Sequence, residues 1–273
     1  MISILEIKNL TKIYKNNNIE FKVFENLNFK FEENSIYALV GKSGCGKSTL
    51  SHIINMLELP SKGTIYFNGI DICKLSDKEK ISKRKDLQLV LQDGKSALDS
   101  QHKIDFLIKE PMRNLLKIST QELNKRIKNI LKEFHIPESY LSKRVYELSG
   151  GEQQRICIAR AFSVKPKFIT LDESLSGQDP IIRKELLDNI KRFKQKNNCT
   201  ILLVTHDIEI AEYIADKIIL MNKESLKIKE WKEEKMKRLL KKILLVFLLL
   251  ATLIACDSKK ENNKNIKVKY LIS

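Results

Sequence analysis

Nowhere in the 273 residues is there a C-x-x-C pair or a cluster of cysteine with histidine. The five cysteines, Cys45, Cys73, Cys157, Cys199 and Cys256, stand far apart, which argues against a zinc site and against a disulfide framework. The first four fit a reducing, cytosolic setting. Internal repeats are lacking, and low complexity is confined to a Lys/Glu run before Met236. The start of the chain, MISILEIKNLTKIYK, alternates like a strand and does not read as a targeting segment. With 42% hydrophobic and 31% charged residues, disordered and fibrous classes are excluded for the bulk of the chain. A net charge of +16 would ordinarily point to nucleic acid or an anionic membrane. From Met221 onward, however, 14 Lys and Arg face 6 Asp and Glu, a net +8 that holds half the excess. The remainder is only mildly basic, and no nucleic-acid partner is expected.

What is present begins with strands. LEIKNL, FKVFENLNFKF and SIYALV read as strands, with Glu32-Glu33-Asn34 as the turn before the last. A Gly-rich loop at Gly41 leads to a helix from Lys47 to about Leu57. GTIYFNGIDI (Gly63 to Ile72) and LQLVLQD (Leu87 to Asp93) continue the sheet. From Gly94 to about Tyr146 the pattern turns helical, as in FLIKEPMRNLL and LNKRIKNILKEF. KFITLDE and TILLVTHD are again strands, separated by a helix near Ile181 to Lys196. Strands alternating with helices favour a mostly parallel α/β sheet with a helical insert.

Three stretches carry chemistry. Gly41 to Ser48, GKSGCGKS, fits G-x-x-x-x-G-K-[ST] between an apolar strand and a helix. Glycines let backbone amides wrap a phosphate, and the helix N-terminus adds its dipole. Lys47 can reach the β- and γ-phosphates, while Ser48 can ligate Mg²⁺. Gly41, Ser43, Gly44, Cys45, Gly46 and Thr49 complete the expected cradle. FITLDE sets Asp172 and Glu173 at the end of a buried apolar strand, where charge is costly without a task. Asp172 would hold the metal, and Glu173 would polarise the attacking water. In LSGGEQQR, Ser149, Gly150 and Gly151 open a helix and offer a second anion site. One phosphate cannot sit against both loops of one subunit if they lie on separate subdomains. A head-to-tail dimer with ATP sandwiched between two chains resolves this.

With GKSGCGKST, LQD, LSGGEQQR, FITLDE and VTHD in order, the chain resembles the ATP-binding subunit of an ABC transporter from about Ile2 to Met221. The resemblance implies an α/β P-loop NTPase with a parallel core sheet, an antiparallel β subdomain and a helical subdomain at about 94–163. Residues 1–226 would form the ATPase domain, with ATP and Mg²⁺ as cofactors. It implies that Gln92 touches Mg²⁺ or water and reports ATP to the membrane subunits. Asp179 takes the D-loop position, His206 the position of a γ-phosphate contact, and Tyr14 that of the aromatic that stacks on adenine. His52, His102 and His135 are left as helix or surface histidines. Ser174 stands where the family usually has Pro, SGQD where S-A-L-D is usual, and Glu152 where Gln is commonest; none of these removes a catalytic group.

VLQDGKSALDS, IKEPMRNLL and the cysteine of SGCGKST further resemble the peptide and nickel importers, the nickel-importing ATPases above all. That resemblance implies a peripheral subunit on the cytoplasmic face of the bacterial inner membrane. Its expected partners are a second, paralogous ATPase, two permeases and a solute-binding lipoprotein. The competing expectations are an exporter or lipoprotein-release ATPase, and a non-transport ABC ATPase acting on nucleic acid.

After a charged linker (227–235), residues 236–256 read MKRLLKKILLVFLLLATLIAC. The apolar run Ile243 to Ala255 is too short for a bilayer-spanning helix of about 20 residues, yet suits a signal-peptide core of roughly 7–15. Basic residues precede it, and Leu253-Ile254-Ala255-Cys256 resembles a lipobox, followed by a polar tail (257–273). The segment is expected to form a short C-terminal apolar helix and could tether the ATPase to the membrane. Lys232-Glu233-Glu234-Lys235 is encoded by purines alone, and AAG-GAG-GAA, a ribosome-binding sequence, is among the permitted codings. The expectation is that the ATPase ends near Lys235 and that its frame runs into a neighbouring lipoprotein gene.

Overall fold

In chain order the strands are β1 (Ser3–Asn16), β2 (Ile19–Glu32), β3 (Ile36–Val40), β4 (Lys62–Phe67), β5 (Ile70–Asp71), β6 (Leu87–Val90), β7 (Phe168–Asp172), β8 (Thr200–Val204), β9 (Lys217–Met221) and β10 (Leu226–Lys229). The α-helices are α1 (Lys47–Ile54), α2 (Asp77–Lys83), α3 (Ile104–Leu115), α4 (Thr120–Glu133), α5 (Gly150–Phe162), α6 (Pro180–Asn197) and α7 (Ile208–Ile214). This computed structural model describes residues 3–16, 19–92, 97–175 and 179–229.

Two sheets result. One is antiparallel, in the order β2-β1-β4-β5. The other runs β10-β9-β3-β8-β7-β6, parallel throughout except for the antiparallel edge pair β9–β10. The short strands β3, β7 and β8 are buried along their whole length, so both faces must be covered. In β8, Ile201 and Leu203 join the core beneath the helices, whereas Leu202 and Val204 join the core shared with α1 and the antiparallel sheet. Edge-to-face contacts of Phe31 with Tyr37 and Phe168, at centroid distances of 5.0 and 5.5 Å, lock the two sheets together.

Several expected boundaries shift. The first helix stops at Ile54 rather than Leu57, because Met56 adopts φ 59° and breaks the helical path. GTIYFNGIDI is a hairpin, not one strand: Asn68 and Gly69 both take positive φ and turn β4 back into β5. β6 ends at Val90, so Gln92 lies in the turn beyond it. The helical insert holds α3 and α4, each burying one apolar stripe. The helix α2, the helix α7 and the hairpin β9–β10 have no counterpart in the expected pattern. Among the described residues no helix is long and apolar enough to cross a membrane. The expected C-terminal apolar helix, its lipobox and its membrane tether lie outside the described residues.

Candidate active site

The loop from Gly41 to Gly46 leaves β3 and enters α1, and two of its glycines are dictated by space. A Cβ on Gly41 would lie 2.6 Å from the Met221 carbonyl oxygen and 2.8 Å from Cys45 Sγ. Gly46 has φ 98°, and a Cβ there would stand 2.6 Å from Val23 Cγ1. No side chain caps α1, so its dipole and first amides can serve an anion. Lys47 is buried and donates to the carbonyl oxygens of Gly41 (2.9 Å) and Lys42 (3.2 Å), curling the loop around its ammonium. Ser43, Gly44 and Ser48 are exposed on that curl, and Cys45 is turned inward.

The acidic pair follows from the parallel sheet. β7 lies between β6 and β8, and β8 between β7 and β3, so all four strand ends open on one edge. Ser48 Oγ donates to Asp172 Oδ1 at 3.4 Å. Burial, with Glu173 adding to it, pushes the Asp172 carboxyl above the usual range, against the Ser48 hydrogen bond and the nearby His52 and Lys47 side chains. A carboxylate buried at such cost beside one hydroxyl fits Mg²⁺. That ion takes one or two protein oxygens and draws the rest from phosphates and water. Among the described residues no group of three His, Cys, Asp or Glu is placed to hold a metal by protein ligands alone.

Glu173 departs from the strand at φ 44°, with its N–H donating to Val204 O at 3.0 Å. That turn brings its Oε1 to 3.5 Å from His206 Nδ1, beyond β8. The His206 side chain is 67% exposed and free to meet a ligand, whereas Glu173 is largely enclosed.

Tyr14 stands beside the loop. Its hydroxyl donates to Glu58 Oε2 at 2.7 Å and reaches the Thr49 hydroxyl in the first turn of α1. Lys12 Nζ lies 4.7 Å from the Tyr14 ring centroid and 3.1 Å from Glu58. Burial, followed by Glu58, raises the phenol above its ordinary range. Glu58 also meets His52 at 3.2 Å, so His52 is a structural partner. His102 and His135 likewise pair with Asp99 and Glu185. Gln92 is exposed two residues past Val90, in the turn that follows β6, the strand next to β7.

Ser149, Gly150 and Gly151 open α5, and no hydrogen bond or ion pair among the described residues joins them to the phosphate loop. Ser149 caps α5 reciprocally with Glu152: its N–H donates to Glu152 Oε2 (2.7 Å) and its Oγ accepts from the Glu152 N–H (3.4 Å). Tyr140 adds a hydroxyl hydrogen bond to the same carboxylate. Asp179 caps α6, accepting from the N–H groups of Ile181 (2.8 Å) and Ile182 (3.4 Å), with Pro180 in the first turn. Ser176, Gly177 and Gln178, before it, lie outside the described residues, as does Asp93.

Two features escaped sequence reasoning. The Glu58 hub joins Tyr14, Lys12 and His52 across long sequence separations and has no local signature. Gln154, buried in α5, donates to the Ser174 carbonyl at 2.7 Å, again between segments far apart in the chain. The Ser149–Glu152 capping box has a local S-x-x-E signal, but the expected helix start at Ser149 did not include it.

The ABC transporter family profile matches residues 24–176, which run from before the phosphate loop to beyond Glu173. The nickel import ATP-binding protein NikE of Shigella boydii is 35% identical over 200 residues, covering 73% of this chain and 75% of the relative. NikE of Escherichia coli K12 is 33% identical over 226 residues, 81% and 84% of the two chains. Among solved structures, the dimeric post-hydrolysis state of the ATP-binding cassette MJ0796, bound to ADP and Pi, superposes with a TM-score of 0.76 at 28% identity. That match covers 82% of this chain and 97% of the other. CbiO1 from Clostridium perfringens, part of the ABC transporter complex cbiONQ, gives 0.76 at 28% identity, covering 89% and 95%.

Proposed function

The chain belongs to the ABC transporter family as an ATP-binding, ATP-hydrolysing subunit, and from that premise we propose that it powers an importer for nickel or oligopeptides. The observation that carries the ATP chemistry is the convergence of Lys47, the Ser48–Asp172 contact and the Glu173–His206 contact at the ends of neighbouring parallel strands. The names of the NikE relatives support the cargo class.

Each residue's part follows from its place. Tyr14 stacks on adenine, and the loop from Gly41 to Thr49 wraps the phosphates, with Lys47 reaching β and γ. Ser48 and Asp172 would hold Mg²⁺, which would supply neutralisation of the charge that develops on the phosphates. Gln92 touches the same ion or its water. Glu173 orients and polarises the attacking water, and His206 contacts the γ-phosphate. Ser149, Gly150 and Gly151 of one chain close on ATP held by a second, paralogous ATPase, with Asp179 at the seam. Dimeric cassettes such as MJ0796 support this arrangement.

Beside Gln92 an open groove runs between β6, α3 and α5, lined by Leu89, Leu91, Ala97, Pro111, Leu115 and Arg160. Its apolar floor suits a docking element of the two permeases, which a solute-binding lipoprotein would supply from outside. The ATPase would then sit at the cytoplasmic face of the inner membrane. Uptake assays with radioactive nickel in cells carrying only the Lys47→Ala form test this. Lost nickel uptake supports nickel, lost oligopeptide uptake with intact nickel uptake assigns peptides, and retention of both overturns the importer.

A further inference from the structure

Glu173 sits in a conformation that L-residues rarely adopt, with φ 44°, and such a turn persists only when its surroundings hold it. Two hydrogen bonds do so. On one side the Glu173 N–H is fixed to Val204 O of β8 at 3.0 Å. On the other, the buried Gln154 amide donates to the carbonyl of Ser174, the next residue, at 2.7 Å. The Ser174 hydroxyl is buried with no hydrogen-bond partner, and no other side chain among the described residues bonds to Ser174. Gln154 is therefore the side chain that anchors the exit of the turn.

Gln154 belongs to α5, the helix whose first residues are Ser149, Gly150 and Gly151. Five residues of helix place it about 7.5 Å along the axis from Ser149. A helix transmits an axial shift with little loss, so displacement of its N-terminus is delivered to the Ser174 carbonyl. From there it reaches the backbone that aims Glu173.

We infer that Gln154 is a positioning residue that ties the aim of Glu173, at the chain's own ATP, to engagement of Ser149 with the ATP of the opposing subunit. This rests on the sandwich arrangement proposed above. One chain then senses one nucleotide with the start of α5 and hydrolyses the other with Glu173, and the Gln154–Ser174 hydrogen bond joins the two acts. A buried amide suits this task, since it is directional and carries no charge to desolvate.

The test compares Q154L, Q154M and S149A in the full chain assembled in its transporter, with MgATP binding measured alongside turnover. Methionine keeps the length and bulk of the side chain, so Q154M removes the hydrogen bond with little change in packing. Loss of aim is expected to lower kcat about tenfold to a hundredfold. KM for ATP should stay within about twofold, since the phosphate loop is untouched. The Hill coefficient for ATP should fall towards one. A merely structural role would lower the melting temperature and leave kcat and the Hill coefficient in place; wild-type values of both in Q154M overturn the inference. S149A separates the two layers. If S149A slows turnover and Q154M does not, the coupling fails while the sandwich stands; if S149A leaves turnover unchanged, the sandwich itself fails.

Discussion

His206 Nδ1 lies 3.5 Å from Glu173 Oε1, although the two residues come from different strands and each must leave its strand by a turn to meet the other. Glu173 does so through its positive φ. His206 does so ahead of Asp207, whose carboxylate caps α7 and contacts Arg183 of α6 at 3.6 Å. The pair thus has supports on two sides and an exposed imidazole facing outward. Glu173→Gln should keep ATP binding and lose turnover by about 10²–10⁴-fold, the range for a removed general base. It should also trap a closed, ATP-bound dimer on size exclusion. Loss of the imidazole in His206→Ala should cost about 10²-fold or more in kcat. Unchanged hydrolysis by either variant in the assembled transporter would refute its assigned role.

Lys47 differs from most lysines in being buried with its ammonium on two loop carbonyls. Lys47→Ala therefore removes both a phosphate ligand and the tie that curls the loop. The expected result is MgATP affinity weakened by about 2–3 kcal/mol, the scale of a charged hydrogen bond. Equilibrium binding of a fluorescent ATP analogue measures it, and near-normal affinity would move the γ-phosphate contact elsewhere.

How much of this was visible in the residues alone depended on range. GKSGCGKST and LSGGEQQR are local: the turn, the helix start and the exposed amides are encoded within one short segment each. Asp172 and Glu173 were legible because charge at the end of an apolar strand needs a reason. The hairpin at Asn68-Gly69 carried a readable turn signal, but the apolar content on both sides masked it as one strand. The β9–β10 hairpin follows the short helix α7, and the sheet partner of β9, β3, lies far away in sequence, so pairing decides it. Gln154 and Glu58 act across long separations, where only packing shows which side chain meets which backbone.

Asp172 offers a pH test. Burial raises its carboxyl, so the folded chain holds that proton to higher pH than the unfolded chain does. The associated stability is complete in acid and is lost as pH rises through the folded value. Above that value, ionised Asp172 makes the nucleotide-free protein less stable than it is with the carboxyl protonated. Asp172→Asn should melt higher there than the parent protein, and the gain should vanish in acid. The same variant should lose Mg²⁺-dependent turnover. Equal melting curves at all pH values would show that Asp172 carries no burial penalty.

Glu152 faces the helix end where a phosphate is proposed to dock. Its hydrogen bond from Tyr140, then those from Ser149, hold the carboxyl below its usual range. The stability it contributes is present above the unfolded value and lost as pH falls through the folded one. Ionised, it favours the start of α5 but repels an incoming phosphate. Glu152→Gln keeps an acceptor for the Ser149 N–H and removes the charge. Helix stability should drop by about 0.3–1 kcal/mol, and ATP-driven dimerisation should tighten by a similar amount. Both changes should shrink as salt is raised. Weaker dimerisation in Glu152→Gln would instead make the carboxylate part of the nucleotide contact.

Met1–Lys229 form one compact unit, closed by the pairing of β10 with β9. Every residue proposed here to act on ATP lies within it, and none of them belongs to the lipobox-like segment at 236–256. A chain ending at Lys235 should therefore match the full chain in melting temperature and in kcat and KM for ATP. If residues 236–256 are the start of a neighbouring lipoprotein, the nucleotides upstream of Met236 should read as a ribosome-binding sequence. A ribosome-binding sequence there with normal kinetics in the shortened chain would place the ATPase boundary near Lys235. Lowered kcat on shortening would make the tail part of the working enzyme and remove the case for a read-through frame.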